Sequence, residues 1–320
     1  MSTNNKNLRK AQKAKNDEFY TQFSDIENEL KHYIQHFRGK VVYCNCDNCR
    51  ESNFFKYFAQ YFEILGLKQL IATAYNENGK GIVCVYNGDK NGNNYPDFDE
   101  IIPTELNGNG DFRSAECIEI LKECDIVVTN PPFSLFREYV AQLIEYDKKF
   151  LIIGNKNAII YKEIFPLIKE NKLWLGITSP NEYRLPNGEI TKQVNGLCRW
   201  FTNMEHDRRN QPMDLYMKYS NEYFPKYDNY DAIEVSKTCE IPMDYEGVMG
   251  VPITFLDKYC PEQFEIVGIA CGNSWRNYTD ILKELNFNPN IKYGGGLGSG
   301  IVNGKATYAR ILIKHRKLNS

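Results

Sequence analysis

The chain lacks any apolar run long enough to cross a membrane. Its longest apolar stretches, such as Phe150-Leu151-Ile152-Ile153, are far shorter than the roughly 20 residues that a transmembrane helix requires. The N-terminal segment is polar and has no apolar region of the kind found in secretory signal peptides. These absences predict a cytoplasmic protein without a membrane segment.

Net charge is also nearly absent, because 39 lysine and arginine residues stand against 41 aspartate and glutamate residues and leave a formal charge of −2. Contact with a polyanion must therefore depend on local positive charge. Three basic clusters are present: Lys6, Arg9, Lys10, Lys13 and Lys15; Arg199, Arg208 and Arg209; and Arg310, Lys314, Arg316 and Lys317. Each cluster is compatible with phosphate contact and equally with an ordinary solvated surface.

The 10 cysteines lack the arrangement of a small disulfide-bonded domain, since they are scattered over a long chain without a secretion signal. Reduced thiols are expected. Cys44, Cys46 and Cys49 have a spacing that would suit zinc, but no fourth cysteine or histidine lies close by, and Cys44 continues the apolar strand that begins at Val41. No metal site is expected.

The pattern of apolar residues predicts a globular α/β protein. The chain has 320 residues and 42% hydrophobic content, which is enough for a sizeable core. Between about residues 25 and 175, β-like runs alternate with helical segments, which is typical of a doubly wound, mostly parallel sheet. The predicted strands are Lys40 to Cys44, Gln69 to Tyr75, Asp125 to Thr129, Phe150 to Gly154 and Leu173 to Ile177. The predicted helices are Ile26 to Phe37, Phe54 to Leu65, Ala115 to Glu123, Phe136 to Tyr146 and Tyr161 to Glu170.

A rigid turn, Asn130-Pro131-Pro132-Phe133, directly follows the predicted strand that ends at Thr129. Loops at the carboxyl ends of such strands form ligand clefts, so the loops after Cys44, Tyr75 and Thr129 are predicted to line one cleft. Prolines have no N–H group, so the turn presents carbonyl acceptors without competing donors. The same residues would also serve simply to end a strand.

The turn suits chemistry on an exocyclic amino group. The amino nitrogen of adenine is a poor nucleophile because its lone pair is delocalised into the ring. The side-chain oxygen of Asn130 and the main-chain carbonyl of Pro131 can each accept one N–H, which weakens that conjugation, while Phe133 supplies a stacking surface. These three residues are the predicted catalytic residues.

Several further segments together resemble a known family. They are Asp17 to Gln22, Val41 to Asp47, Ser52 to Phe58, Gly110 to Ser114, Tyr227 to Ala232 and Gly247 to Leu256. With the Asn-Pro-Pro-Phe turn, they resemble the adenine-N6 DNA methyltransferases, and within these the EcoRI modification methylase family. The resemblance covers most of the chain.

The resemblance implies S-adenosylmethionine as the methyl donor and a fold of the S-adenosylmethionine-dependent methyltransferase type. Carried over by position, the implied cofactor-binding residues are Phe19, Tyr20, Thr21, Cys44, Asn45, Asp47, Asp111, Phe112 and Asn130. Three regions are expected: a basic N-terminal arm (1–16), a catalytic core (17–177), and the remaining core strands with a C-terminal target-recognition region (178–320). Asp111 would accept a hydrogen bond from the adenine of the cofactor, although it follows a glycine-rich turn and also suits an Asx turn.

The sequence departs from the wider methyltransferase pattern in two places. The loop after Cys44 has no glycine-rich turn, and no acidic residue stands at the end of the predicted second strand. Asp47 and Glu77 are therefore both candidates for the partner of the cofactor ribose.

Duplex DNA is the implied substrate, with the adenine flipped out of the stack, as in a restriction-modification system. No obligate protein partner is evident, and a monomer is expected. Two alternatives remain: a methyltransferase of RNA bases or protein glutamine, in which Asn-Pro-Pro turns also occur, and a catalytically silent DNA-binding module.

Overall fold

The structure is a computed structural model that describes residues 20–93, 96–97, 100–180, 183–184, 190–191, 196–271, 279–291 and 299–316. Its strands are β1 (Tyr20–Thr21), β2 (Val41–Asn45), β3 (Gln69–Ala74), β4 (Ile82–Tyr86), β5 (Ile102–Glu105), β6 (Ile126–Thr129), β7 (Lys149–Asn155), β8 (Trp174–Leu175), β9 (Tyr183–Arg184), β10 (Ile190–Thr191), β11 (Cys198–Thr202), β12 (Ile233–Glu234), β13 (Met249–Pro252), β14 (Phe264–Ala270), β15 (Ile301–Val302), β16 (Lys305–Ala306) and β17 (Arg310–His315). Its α-helices are α1 (Phe23–Leu30), α2 (Asn53–Gln60), α3 (Phe62–Leu65), α4 (Ala115–Glu123), α5 (Phe136–Glu145), α6 (Phe165–Lys169) and α7 (Thr279–Glu284).

The largest sheet has eight strands in the order β5-β4-β3-β2-β6-β7-β11-β8. Its centre is parallel, because β2 pairs in parallel with both β3 and β6, and β6 pairs in parallel with β7. Antiparallel pairs flank this centre, namely β3 with β4, β4 with β5, and β7 with β11. The predicted α/β fold with a large parallel centre is confirmed, and the antiparallel strands β4 and β5 are elements that the sequence patterns did not reveal.

Several predicted helices are shorter than their apolar spacing indicated. The helix predicted from Ile26 ends at Leu30, and a short 3-10 turn, Ile34–His36, follows it. The segment predicted from Phe54 to Leu65 divides at Tyr61 into α2 and α3. By contrast, α4 has the predicted bounds, and the hydroxyl of Ser114 accepts the amide of Cys117 at its start.

By its internal contacts the chain divides into two units. Unit 1 contains residues 1–158 and 175–205, and unit 2 contains residues 159–174 and 206–320. In unit 1, alternate residues of the parallel strands, such as Val42, Leu70 and Val128, form one apolar core together with residues of α1 and α2.

A buried carboxylate fixes the loop after β8 in unit 1. Glu29 in α1 is fully buried and accepts hydrogen bonds from the hydroxyl of Tyr33 (2.9 Å) and from the amide of Ile177 (2.8 Å). Its other oxygen accepts the amide and the hydroxyl of Thr178, both at 2.6 Å. Four donors thus balance the cost of burying this charge.

Unit 2 contains a four-stranded sheet in the order β12-β13-β17-β14. A buried polar network lies beside it: the guanidinium of Arg310 donates to Glu234 (2.5–3.2 Å), and the hydroxyl of Tyr227 donates to the same carboxylate (2.5 Å). The Arg310 side chain is only 12% exposed. Of the two alternatives left open for the third basic cluster, this pairing argues against phosphate contact by Arg310, because its charge is already paired inside the unit.

The cysteines include one disulfide, between Cys49 and Cys84. The expectation of reduced thiols is therefore wrong for this pair, because the loop after β2 brings Cys49 beside β4, a strand that was not predicted. The cysteines at 44 and 46 are not part of a disulfide. In the described part of the chain, no group of three or more histidine, cysteine or acidic side chains is arranged to hold a metal ion.

Across the described residues, none of the helices has both the length and the apolar character needed to span a bilayer.

Candidate active site

The loops at the carboxyl ends of the parallel strands of unit 1 enclose one cavity of about 450 Å³. Its size is within the range of small-molecule sites. The residues that line it are Thr21, Cys46, Asp47, Asn48, Glu51, Ser52, Asn53, Phe54, Ala74, Tyr75, Gly110, Asp111, Phe112, Arg113, Asn130, Pro132 and Leu135. The prediction that the loops after β2, β3 and β6 share one cleft is confirmed.

The loop after β2 turns sharply without a glycine. Cys46 has a φ of +69°, in the left-handed region that glycine usually occupies. The next amide, that of Asp47, donates to the carbonyl of Thr73 in β3 (2.8 Å). Cys46 therefore provides the tight turn that the sequence, lacking a glycine-rich motif, did not reveal.

The same loop ends at a helix cap. The hydroxyl of Ser52 accepts the amides of Phe54 (3.1 Å) and Phe55 (3.3 Å) and so caps α2. The side-chain amide of Asn53 donates to the carbonyl of Thr21 (2.8 Å), which holds β1 against this end of the helix. The strand β1 is thereby placed at the cavity wall.

Thr21 lines the cavity, and its side-chain hydroxyl is buried and unsatisfied. The residue is 4% exposed, and its hydroxyl oxygen has no hydrogen-bond partner among the residues that the structure describes. Buried hydroxyls are normally paired, so an isolated one in a cavity wall indicates a position where a ligand supplies the partner.

Asp47, in the loop after β2, lies beside the end of β6. The hydroxyl oxygen of Thr129 is 2.5 Å from Asp47 Oδ2, and it also contacts the main-chain carbonyl of Asn45. Burial raises the pKa of Asp47 to about 6, although hydrogen bonds from Ser52 and Thr129 act in the opposite direction. A carboxyl that titrates close to neutral pH therefore stands beside the strand that leads into the Asn130 turn.

Gly110 brings a second acidic loop to the cavity. Its φ is +79°, and a Cβ atom at this position would lie 2.4 Å from the carbonyl oxygen of Ala74. Only glycine fits so close to the end of β3. The following residues, Asp111 and Phe112, are thereby placed in the cavity wall.

Asp111 is held by Arg113. Its Oδ1 accepts the amide and Nε of Arg113, both at 2.9 Å, and its Oδ2 accepts the Nη2 group at 2.7 Å. The Asx turn considered from the sequence is thus present as well. These bonds lower the pKa of Asp111, so it stays an ionised acceptor, and Oδ2 retains a lone pair for a further donor.

The apolar wall beside Asp111 is formed by Phe112. This ring is 4% exposed and packs edge-on against Tyr139 of α5 at a centroid distance of 5.0 Å. The carbonyl of Phe112 accepts the side-chain amide of Gln142 (3.1 Å). Contacts with α5 therefore fix both the ring and its main chain.

The Asn-Pro-Pro-Phe turn begins directly at the cavity. Asn130 is half-buried and lines the cavity, while Pro131 is buried. The carbonyl of Pro132 accepts the amide of Leu135 (3.0 Å) within a 3-10 turn, Phe133–Leu135. The Phe133 ring is half-buried and packs partly against the core of unit 1.

The cavity brings together five of the residues that sequence reasoning selected: Thr21, Asp47, Asp111, Phe112 and Asn130. It does not include Cys44 and Asn45, nor the predicted catalytic residues Pro131 and Phe133. The Cys44 thiol is fully buried in the core, and the Asn45 side chain is 1% exposed and accepts the hydroxyl of Thr73 (3.0 Å). Phe19 lies outside the described residues, and Tyr20 is described only through its main chain. Of the two candidates for the ribose partner, Asp47 lines the cavity and Glu77 does not.

Other lining residues were missed by sequence reasoning, namely Cys46, Asn48, Glu51, Ser52, Asn53 and Arg113. Two signals would have found part of this set. A serine directly before the apolar helix Asn53–Gln60 is typical of a helix cap. A charged pair two residues apart, Asp111 and Arg113, follows a glycine turn that was itself recognised.

A comparison with known families decides the assignment. The sequence model of the family described as adenine-specific methyltransferase EcoRI matches residues 7–316. The chain belongs to this family. It is 49% identical to the type II methyltransferase M.EcoRI of Escherichia coli, with 98% of each chain covered.

Two mycoplasma proteins are also similar. Identity is 40% to the type II methyltransferase M.MpnI of Mycoplasma pneumoniae, over 96% of this chain and 98% of the relative. Identity is 39% to the type II methyltransferase M.MgeORF184P of Mycoplasma genitalium, over 97% of this chain and 98% of the relative. No solved structure matches the chain.

Proposed function

We propose that this member of the family transfers a methyl group from S-adenosylmethionine to N6 of adenine in duplex DNA, as the modification enzyme of a restriction-modification system. Membership of the family makes the chain an adenine-specific methyltransferase. The observation that carries the finer proposal is the position of Asn130, whose turn opens into the same cavity as two acidic loops.

The cavity residues fit S-adenosylmethionine. Asp47, Glu51 and Asp111 line the cavity against a single lining base, Arg113, which suits a ligand that carries positive charge. The Thr21 hydroxyl has no partner among the described residues, so it is available to a polar group of the donor. The ring of Phe112 and the remaining lone pair of Asp111 would hold the donor's adenine. When bound, the donor supplies a methyl group activated by a sulfonium.

Asn130 and the turn that it begins supply the acceptor chemistry. The Asn130 side-chain oxygen and the Pro131 carbonyl would accept the two N–H groups of the target amine and stabilise the positive charge that develops on nitrogen. Phe133 would stack on the base. Orientation and preorganised acceptors then replace any covalent intermediate with the enzyme.

Duplex DNA must expose the base before this chemistry can occur, because N6 lies within the base stack. We therefore propose base flipping, with the region after residue 178 reading the target and surface basic residues contacting phosphates. Arg208 in unit 2 is a candidate, whereas Arg209 packs over the Trp174 ring at 3.6 Å. The named activities of the three relatives support a DNA substrate.

Transfer of labelled methyl from S-adenosylmethionine to mixed-sequence duplex DNA tests this proposal. The product is digested and the labelled nucleoside is identified, with RNA and protein offered in parallel reactions. The proposal predicts label in N6-methyladenine from DNA alone. Label in RNA or in protein glutamine would reject the substrate, and donor binding without transfer to any acceptor would reject the enzymatic activity.

A further inference from the structure

The contacts around Thr129 require more protons than one hydroxyl can supply. Its oxygen lies within hydrogen-bond distance of two oxygens, the main-chain carbonyl of Asn45 and Oδ2 of Asp47. A carbonyl can only accept, and a threonine hydroxyl has a single proton to donate. If Asp47 were ionised, one of the two contacts would bring lone pairs face to face.

A proton on Asp47 satisfies both contacts. The carboxyl then donates to the Thr129 oxygen, and the Thr129 hydroxyl donates to the Asn45 carbonyl. The enclosed position agrees with this arrangement, because burial raises the pKa of Asp47 to about 6. Hydrogen bonds that Ser52 and Thr129 donate to the ionised carboxylate lower this pKa but leave it well above the usual value for an aspartate.

Several ionisable groups surround Asp47, and the direction of the pKa shift is clear for three of them. Burial, with the charge of Asp47 as a further cause, raises the pKa of the Cys44 thiol in β2, and burial is the main cause of the raised pKa of Tyr139 in α5. Asp111 is held ionised by Arg113. Glu51 is the remaining acidic residue of the cavity wall. Like Cys46, it belongs to the same loop as Asp47.

We propose that Asp47 releases its proton to solvent when the positively charged methyl donor enters the cavity, and that the Thr129 hydroxyl then turns from the Asn45 carbonyl to the Asp47 carboxylate. The O–H bond of Asp47 breaks, the proton passes to buffer, and no other bond changes. This inference depends on the proposed use of S-adenosylmethionine. Asp47 then does more than line the cavity. Its charge state couples donor binding to Thr129, the last residue of the strand before Asn130.

Isothermal titration calorimetry of the full chain tests this inference without any measurement of activity. S-adenosylmethionine is titrated between pH 5 and 7.5 in two buffers of different ionisation enthalpy, which gives the number of protons released. We expect roughly half a proton or more per donor between pH 5.5 and 6, and none at pH 7.5, where Asp47 is already ionised. The dissociation constant should rise about fivefold from pH 7.5 to pH 5, as expected for a pKa that binding lowers from about 6 by one unit.

The neutral product S-adenosylhomocysteine provides a control that needs no variant. It has the same shape but no sulfonium charge, so we expect clearly less proton release. Asp47→Asn should bind the donor with no proton release and no pH dependence, because its amide donates to Thr129 as the protonated carboxyl does. Asp147→Asn, at an exposed carboxylate that does not line this cavity, should retain the release.

Equal proton release with the donor and the neutral product, or donor binding without release at pH 5.5 to 6, would overturn the inference alone. Release that persists unchanged in Asp47→Asn would do the same. If the wild-type chain did not bind S-adenosylmethionine at any pH, the proposed function would fail together with the inference, and that result is distinct from the others.

Discussion

Two carboxylates of unit 1, the fully buried Glu29 and the half-buried Asp47, have opposite surroundings. Glu29 accepts four hydrogen bonds, from Tyr33, Ile177 and Thr178, and is not among the residues that line the cavity at the strand ends. Asp47 is close to the two hydroxyls of Ser52 and Thr129 and lines the cavity of about 450 Å³. The complete set of hydrogen-bond donors at Glu29 indicates a structural role. The incomplete set at Asp47 indicates a ligand-binding role, in which the ligand completes the surroundings of the carboxylate.

The largest expected effect is that of Asn130→Ala on transfer. The change removes a side-chain acceptor that faces the positive charge developing on the target nitrogen. It should lower kcat by roughly 100-fold to 1,000-fold, because the remaining carbonyl of the turn cannot hold both N–H groups. Donor affinity should stay within about threefold, since Asn130 contributes one of many contacts. Single-turnover transfer and calorimetric binding provide the two measurements.

The exposed Asn157 gives a matched control, and Asn157→Ala should leave both quantities unchanged. Normal transfer by Asn130→Ala would remove the turn from the mechanism.

Glu29→Gln should reduce stability more than any change at the cavity. One oxygen that accepts two donors becomes an NH₂ group that faces them, and we expect a loss of roughly 2–3 kcal/mol in the free energy of unfolding. Chemical denaturation measures this loss. Glu27→Gln, on the exposed side of the same helix, should change stability little. If Glu29→Gln left the free energy of unfolding nearly unchanged, the structural role assigned to Glu29 would be contradicted.

Asp47→Asn should change how stability depends on pH. The pKa of Asp47 in the folded state is above its ordinary value, so the folded state binds more protons than the unfolded state between about pH 4 and 6. The stabilisation from the protonated form is therefore complete below about pH 4 and is lost as the pH rises through about 6.

Relative to the wild-type chain, Asp47→Asn should accordingly be more stable at pH 7.5 than at pH 4.5 by roughly 1–3 kcal/mol. Thermal unfolding of both proteins across this range is the measurement. The exposed Asp147→Asn is the control and should follow the wild-type curve. Parallel curves for wild type and Asp47→Asn would contradict a raised pKa at this position.

The smallest effect is expected at Thr21. Thr21→Val removes the buried hydroxyl that has no partner among the described residues, so stability should stay equal or rise slightly. Donor affinity should fall about tenfold, the loss of one hydrogen bond, or about 1.4 kcal/mol. Thr104→Val, on an exposed position of β5, should affect neither quantity. Unchanged affinity in Thr21→Val would show that no donor group meets this hydroxyl.

The difference between the two carboxylates also shows what sequence reasoning can reach. The Asn130 turn, the parallel strands and the acidic loop at Asp111 were predictable, because each depends on neighbours in the chain. Glu29 was not, since two of its partners, Ile177 and Thr178, are almost 150 residues away. Only the folded chain brings them together.

Local conformation was missed for a different reason. Cys46 occupies a left-handed turn in which glycine would be expected, so composition gave no signal. The apolar spacing from Ile26 to Phe37 predicted one helix, but the helix ends at Leu30, and beyond it His36 makes a long-range contact with the carbonyl of Glu205. The family resemblance implied Cys44 as a cofactor-binding residue, whereas the alternation along β2 directs its thiol into the core.

A crystal structure of the chain with S-adenosylhomocysteine tests the central claim most directly, namely that one cavity holds the donor beside the Asn130 turn. The account predicts the nucleoside against Asp111 and Phe112, a polar group of the ligand within hydrogen-bond distance of the Thr21 hydroxyl, and the sulfur on the side of Asn130. Binding of the ligand elsewhere on the chain, or in this cavity with the sulfur directed away from Asn130, would contradict it.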